Sequence, residues 1–382
     1  MEFVTAGESH GPALTAIVSG VPAGVRISEE AINEDMARRQ KGYGRGGRMK
    51  IETDTAQVLS GVRFSKTLGT PIALQVINAD HANWKGRMDV FGEAPEDLVR
   101  EVQPRPGHAD LVGMFKTNTD DARNILERSS ARETAARVAA GAIAKAFLAE
   151  LGVNVFSYVK RIGDVLMPGD VEFSIEEIEA SECRCPDKAT TEAMKAAIDA
   201  AREQGESLGG EFVVMAGGLV PGLGSYASGP QRLTSRLGGA LFSIPAIKAV
   251  EFGLGAMSAR LPGSVVHDGI TYCDCHGWGR SSNNSGGLEG GMTTGGLLIA
   301  TAAMKPIPTL MKPLDTVNTD THEAVKASKE RSDVCAVEAA GVVAEAEVAM
   351  VLADAYMEMF GGGCIEDVVR ARNIYMNRIS QR

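Results

Sequence analysis

Two histidines stand in glycine-flanked loops, His10 in GESHG and His108 in RPGHADL. A lone histidine is ordinarily a surface group or a hydrogen-bonded core residue. A pair in loops that allow a ligand to come close is what proton transfer near neutral pH requires. His81, His267, His276 and His322 lack one or the other context and read as structural or surface residues. A second chemistry-bearing stretch is RRQKGYGRGGRMK, in which Arg38, Arg39, Lys41, Arg45, Arg48 and Lys50 are interleaved with glycines. A run of charge is commonly a solvated face. Flexible backbone carrying several guanidinium groups, however, suits a multiply charged anion, which arginine grips in a two-pronged fork. Arg105, three residues before His108, extends the same chemistry. Proton-moving and anion-holding groups together point to acid–base work on a small anionic substrate.

Other stretches suit a cofactor. The Gly-rich SNNSGGLEGGMTTGG at 282–296, with Gly290 inside it, leads into KPIPT at 305–309. It fits neither the Walker nor the dinucleotide pattern, but it lets a phosphate or planar ring approach the backbone. Arg128-Ser129 and Arg331-Ser332 each precede a long Ala-rich helical segment, 131–151 and 334–359. An arginine therefore meets free backbone N–H groups at each helix start, an anion-binding arrangement. SARE at 130–133 predicts a capping box between Ser130 and Glu133.

The elements that must carry these groups are both helical and strand-like. Helical patterns end at Gln40 and cover 190–203, while strand-like runs occupy 14–19, 72–76, 153–159 and 211–215. GESHG at 7–11 returns as GESLG at 205–209, and Pro22 with Pro221 and Arg128 with Arg331 follow at offsets of 199 and 203. An internal duplication, with halves roughly 1–200 and 201–382, explains this order. Leu208 stands where a second His10 would be, so the histidine is not needed to build the fold.

A chain of 382 residues with 44% hydrophobic content can bury a large core. A net charge of -10 repels nucleic acid unless the basic residues are gathered in one place; they are gathered, and in a chain acidic overall such a local basic funnel points to a small anionic substrate rather than to nucleic acid. No apolar run is long enough to span a membrane, and the first residues have no basic, apolar leader, so the expected compartment is the cytoplasm. The six cysteines are then reduced thiols. Cys183-x-Cys185 and Cys273-x-Cys275-His276 have a spacing that suits structural zinc poorly, and no metal is expected.

GESHGPALTAIVSGVPAG, ERSSARETAARVAAGAIA and RSDVCAVEAAGVVAEAE, with RPGHADL, SNNSGG and KPIPT in order between them, make the chain resemble the chorismate synthase family from residue 7 to about residue 347. The resemblance implies an α+β fold, a β-α-β sandwich with helices packed between sheets, in one domain over 1–382. It implies a lyase of the shikimate pathway, its seventh step, that converts 5-enolpyruvylshikimate 3-phosphate to chorismate and phosphate by anti 1,4-elimination. The implied cofactor is reduced FMN, without net redox change, with NADPH entering only through flavin reduction; some members reduce their own flavin and others depend on an outside reductase, and the dependent type is the expectation here. The implied assembly is a homotetramer.

Residue by residue, the resemblance puts His10 at the departing phosphate and His108 where it would protonate the reduced flavin. Asp333, with Ser9, would help the flavin take up the substrate proton. Arg39, Arg45, Arg48, Arg105, Arg132 and Arg331 would hold substrate anions. The flavin would meet Arg128, Ser129, Ser130, Pro245, Ala246, Gly290, Lys305, Pro306, Ile307, Pro308, Thr309 and Arg331. Two departures stand out: many relatives carry Asn-Ala where this chain has Pro245-Ala246, and 261–280, with its CDCH, looks inserted.

Overall fold

Apolar residues alternating with polar ones over residues 13–19 build a strand that buries Leu14, Ala16 and Val18 and turns Ile17 outward. The computed structural model, which describes residues 1–46, 53–169, 171–274, 277–328 and 332–382, places this strand, β2 (Ala13–Ser19), second in a four-stranded antiparallel sheet. Its neighbours are β1 (Glu2–Ala6) and β6 (Ile72–Ile77), with β3 (Ala56–Val58) beyond, while β4 (Val62–Arg63) and β5 (Lys66–Thr67) form a small hairpin. The second sheet runs β10 (Ile247–Phe252), β15 (Leu298–Met304), β9 (Gly210–Gly217), β7 (Asn154–Ile162), β8 (Val165–Leu166). Short hairpins join β11 (Ile270–Cys273) to β12 (Gly277–Arg280), β13 (Leu288–Glu289) to β14 (Met292–Thr293), and β16 (Asp315–Val317) to β17 (Ala324–Lys326).

Between the sheets lie α4 (Thr134–Glu150) and α9 (Val337–Phe360). Helix α4 packs on β2 and β6, α9 packs on β7 and β9, and the two helices pack on each other. The order sheet, helix, helix, sheet is the expected β-α-β sandwich. Burial on every side explains why both helices are rich in alanine and have no polar stripe. A Cβ placed on Gly141 of α4 would lie 2.2 Å from the Ala346 Cβ of α9, so glycine is what lets the helices touch. One continuous core cluster joins residues of both sheets.

Glu345, fully buried in α9, accepts from Arg38, Lys145 and Ser157. Burial alone would raise its carboxyl, but Lys145, Arg38 and Arg184 hold it well below the usual range. This ion cluster ties α1 (Glu29–Gln40) to both central helices and to β7. The remaining helices are α2 (Asp110–Thr117), α3 (Arg123–Ser129), α5 (Ile175–Ala180), α6 (Lys188–Glu203), α7 (Leu233–Phe242), α8 (Gly263–Val266) and α10 (Ile365–Ser380).

The helix expected over 190–203 is α6, and the Ala-rich segments are α4 and α9. The capping box expected at Ser130 and Glu133 does not form. Ser130 Oγ accepts from the Arg132 N–H, residues Ala131–Glu133 make a 3-10 turn, and the Glu133 carboxylate pairs with Arg137 one turn on. A guanidinium four residues ahead is a stronger partner for that carboxylate than a backbone N–H. The second sheet also takes β7 from before residue 200, so the boundary between sheets does not fall at mid-sequence. Among the described residues no helix is long and apolar enough to cross a membrane. Arg48, Lys50, Cys275, His276 and Arg331 lie outside the described residues.

Candidate active site

A cavity of about 630 Å³ opens at one end of the sandwich, within the size range of small-molecule sites. The loop after β1 brings Ser9 and His10 to it, the segment before α2 brings Arg105 and His108, and the start of α9 supplies Ala336, Ala339 and Ala340.

His10 is held by Glu127 of α3. Its backbone N–H donates to Glu127 Oε2 at 2.8 Å and its Nδ1 lies 2.8 Å from Oε1. Burial would raise the Glu127 carboxyl, but the contacts with His10 and the charge of Arg123 outweigh it and hold the group below its ordinary range. A charged carboxylate at Nδ1 makes that nitrogen the donor, which leaves Nε2 as the atom turned away, 3.9 Å from Asp80 Oδ2.

His108 is held in the same manner. Its Nδ1 lies 2.5 Å from Oδ1 of Asp110, the fully buried first residue of α2. The other oxygen of Asp110 accepts from the Arg105 backbone at 3.0 Å and from its Nε at 2.9 Å. Against burial, His108 and Arg105 keep this carboxyl well below the usual range. Arg105 Nη1 also donates to Thr309 Oγ1 at 3.0 Å, which links the histidine segment to the end of KPIPT.

A third carboxylate orders two arginines. Asp54 accepts from Arg39 Nη1 at 3.3 Å and from Arg132 Nη1 at 2.5 Å, and Arg132 Nε donates to Asn78 at 2.9 Å. Burial pulls Arg39 down to about 10 against the Asp54 charge, with Arg45 and Arg132 adding to the fall. Arg45 pairs with Asp333 at 2.8 Å, and the Gly46 N–H donates to the same carboxylate at 2.6 Å. Gly46 is needed here, since a Cβ would lie 2.8 Å from the Ser332 carbonyl oxygen. The apolar part of the lining is formed by Leu126, Ile244 and Val343, with Ala336, Ala339 and Ala340 at the start of α9.

The chorismate synthase family model matches residues 1–357. The chain is similar to chorismate synthase of Aquifex aeolicus, 51% identical over 390 residues that cover 99% of this chain and 98% of that protein. It is also similar to chorismate synthase of Rubrobacter xylanophilus, 53% identical over 380 residues covering 99% and 97%. The chain belongs to the chorismate synthase family. A crystal structure of a chorismate synthase superposes with a TM-score of 0.81 at 42% identity, covering 100% of this chain and 98% of that one.

Most residues carried over from the chorismate synthase resemblance meet at the cavity. Ser9, His10, His108 and Asp333 line it, as do Arg39, Arg45, Arg105 and Arg132. So do Ser129, Ser130, Pro245, Ala246, Lys305, Ile307, Pro308 and Thr309. The Lys305 N–H donates to the Ala246 carbonyl at 2.9 Å, so the Pro245-Ala246 departure is joined directly to KPIPT. Pro306 is not among the lining residues. Arg128 is turned away, donating to Thr5 O at 2.9 Å and to Gly7 O at 3.2 Å. Gly290 sits in the turn between β13 and β14, outside the cavity lining.

Sequence reasoning missed the groups that aim the expected ones: Glu127, Asp110, Asp54, Asp80 and Trp84. Asp110 carried a local signal, standing two residues after His108 in RPGHADL. Glu127 is 117 residues from His10, and only the fold brings them together.

Proposed function

We propose that the chain eliminates phosphate from 5-enolpyruvylshikimate 3-phosphate to give chorismate, a lyase acting on phosphates at the seventh step of the shikimate pathway, with reduced FMN as its cofactor. The observation that carries this reading is one cavity holding two histidines, each fixed through Nδ1 by a buried carboxylate, beside four arginines. The substrate bears a phosphate and two carboxylates, which those arginines would bind. Expected alongside are a cytoplasmic homotetramer, a single domain of two related halves, and reduced flavin supplied by an outside reductase drawing on NADPH.

The residues present fit FMN. Ala336, Ala339 and Ala340 leave a low, apolar wall suited to a planar ring, while Ser129, Ser130 and Lys305 offer hydroxyls and an ammonium to a phosphate. Bound there, reduced FMN would supply transient electron density to the substrate ring without net oxidation.

His10 delivers a proton from Nε2 to the departing phosphate oxygen, and the Glu127 carboxylate stabilises the positive ring before that transfer. His108, fixed by Asp110, holds a proton at Nε2 as the second acid. Asp333, with Ser9, assists removal of the proton from the substrate ring. The cavity walls exclude water and strengthen each of these charge contacts. The test is anaerobic. Purified protein, substrate and chemically reduced FMN should yield chorismate absorbance and equimolar phosphate, and His10→Ala should lose most of the rate. No product with flavin bound and reduced would overturn the reading.

A further inference from the structure

A hydrogen bond at one nitrogen fixes a point on an imidazole but leaves the ring free to swing about that contact. His10 has a second constraint. Its ring is stacked on Trp84, with centroids 4.0 Å apart and planes 25° from parallel. Arg123 lies over the same indole at 5.0 Å, and its Nη1 reaches Glu127 at 3.3 Å. Glu127 in turn holds His10, so His10, Trp84, Arg123 and Glu127 form a closed ring of contacts. The segment carrying Trp84 grips His10 once more, because His81 Nδ1 lies 2.9 Å from the His10 carbonyl oxygen.

We infer that Trp84 is a positioning residue for His10, a wall that sets the plane of the imidazole and thereby aims Nε2 into the cavity. This rests on the proposed elimination, in which His10 is the acid. Glu127 alone leaves one rotation open, and the indole face closes it. Trp84 lines the cavity and is only partly buried, so its replacement leaves the core intact. Misaiming an acid group costs turnover rather than binding. The inference therefore predicts a fall in kcat with KM nearly unchanged.

Two readouts test it. In the anaerobic assay, Trp84→Leu should lower kcat by about tenfold or more with KM within about twofold, and Trp84→Phe, which keeps an aromatic face, should stay within about threefold of the parent. The second needs neither substrate nor flavin. The chain has 2 tryptophans, and Trp278 is 60% exposed on β12, so Trp278→Phe leaves Trp84 as the sole indole. An imidazole stacked on the ring quenches indole emission, so removing it with His10→Ala in this background should give a step up in emission. A kcat for Trp84→Leu within about twofold of the parent, equal losses for Leu and Phe, a raised KM with kcat unchanged, or no emission step would each overturn the inference. Absence of chorismate from the unaltered protein, with the emission step present, would overturn the elimination and still support the stack.

Discussion

Replacing Glu127 by glutamine keeps the shape of its contact with His10 and removes the charge. The positive ring that must form before phosphate departs then loses its buried counter-charge. Glu127→Gln should lower kcat by about tenfold or more in the anaerobic assay, with little change in KM. Glu338, fully buried on α9 beneath the arginine loop, behaves in the opposite way. Burial pushes its carboxyl above the ordinary range despite the Arg45 charge nearby. Folding is unhindered by this group below the ordinary carboxylate range, where it is protonated in both states. As pH rises through the raised value, stability is lost, because only the unfolded chain ionises without cost. Glu338→Gln should leave the melting temperature at pH 4 nearly unchanged and raise it by about 2–5 °C at pH 8, read by calorimetry. Asp110 and Glu127 have lowered values, so their contribution is complete above the ordinary carboxylate range and disappears as pH falls through their native values.

At the contact of α4 with α9, Gly141→Ala sets two effects against each other. Alanine gains about 1 kcal/mol in helix propensity, while a methyl group 2.2 Å from the Ala346 Cβ must push the helices apart. Overpacking typically costs about 1–3 kcal/mol, so the net effect should be a lower denaturant midpoint with an unchanged slope. The same helices show how far the sequence could be read. Alanine-rich stretches and alternating residues such as those at 14–18 gave the positions of α4, α9, β2 and β6, since those signals are local. SARE misled because a cap depends on what else its glutamate can reach, and Arg137 lies one turn away. Motif matching brought His10, His108 and most of the arginines to one cavity. It could not supply Glu127, Asp54 or Trp84, which meet His10, Arg132 and His10 across 117, 78 and 74 residues of sequence.

Over the whole molecule the charge is -10, yet Arg39, Arg45, Arg105 and Arg132 converge on one opening. An anionic substrate is repelled elsewhere and drawn in there, an effect that salt screens over roughly 10 Å at 0.1 M. Raising ionic strength from about 0.05 M to about 0.5 M should lower kcat/KM several-fold while kcat stays nearly constant. The place of α9 has another consequence, in the order of synthesis. When residue 330 leaves the ribosome every strand of both sheets exists, but the helix that covers β7 and β9 and backs α4 has not been made. Until then two apolar surfaces face water, and β10, which emerged about fifty residues ahead of its partner β15, has only just found it. A chain ended at residue 333 should therefore unfold without a cooperative transition and precipitate, whereas one ended after α9, at 362, should stay soluble. The core of this protein is closed only once residues 337–360 have been made.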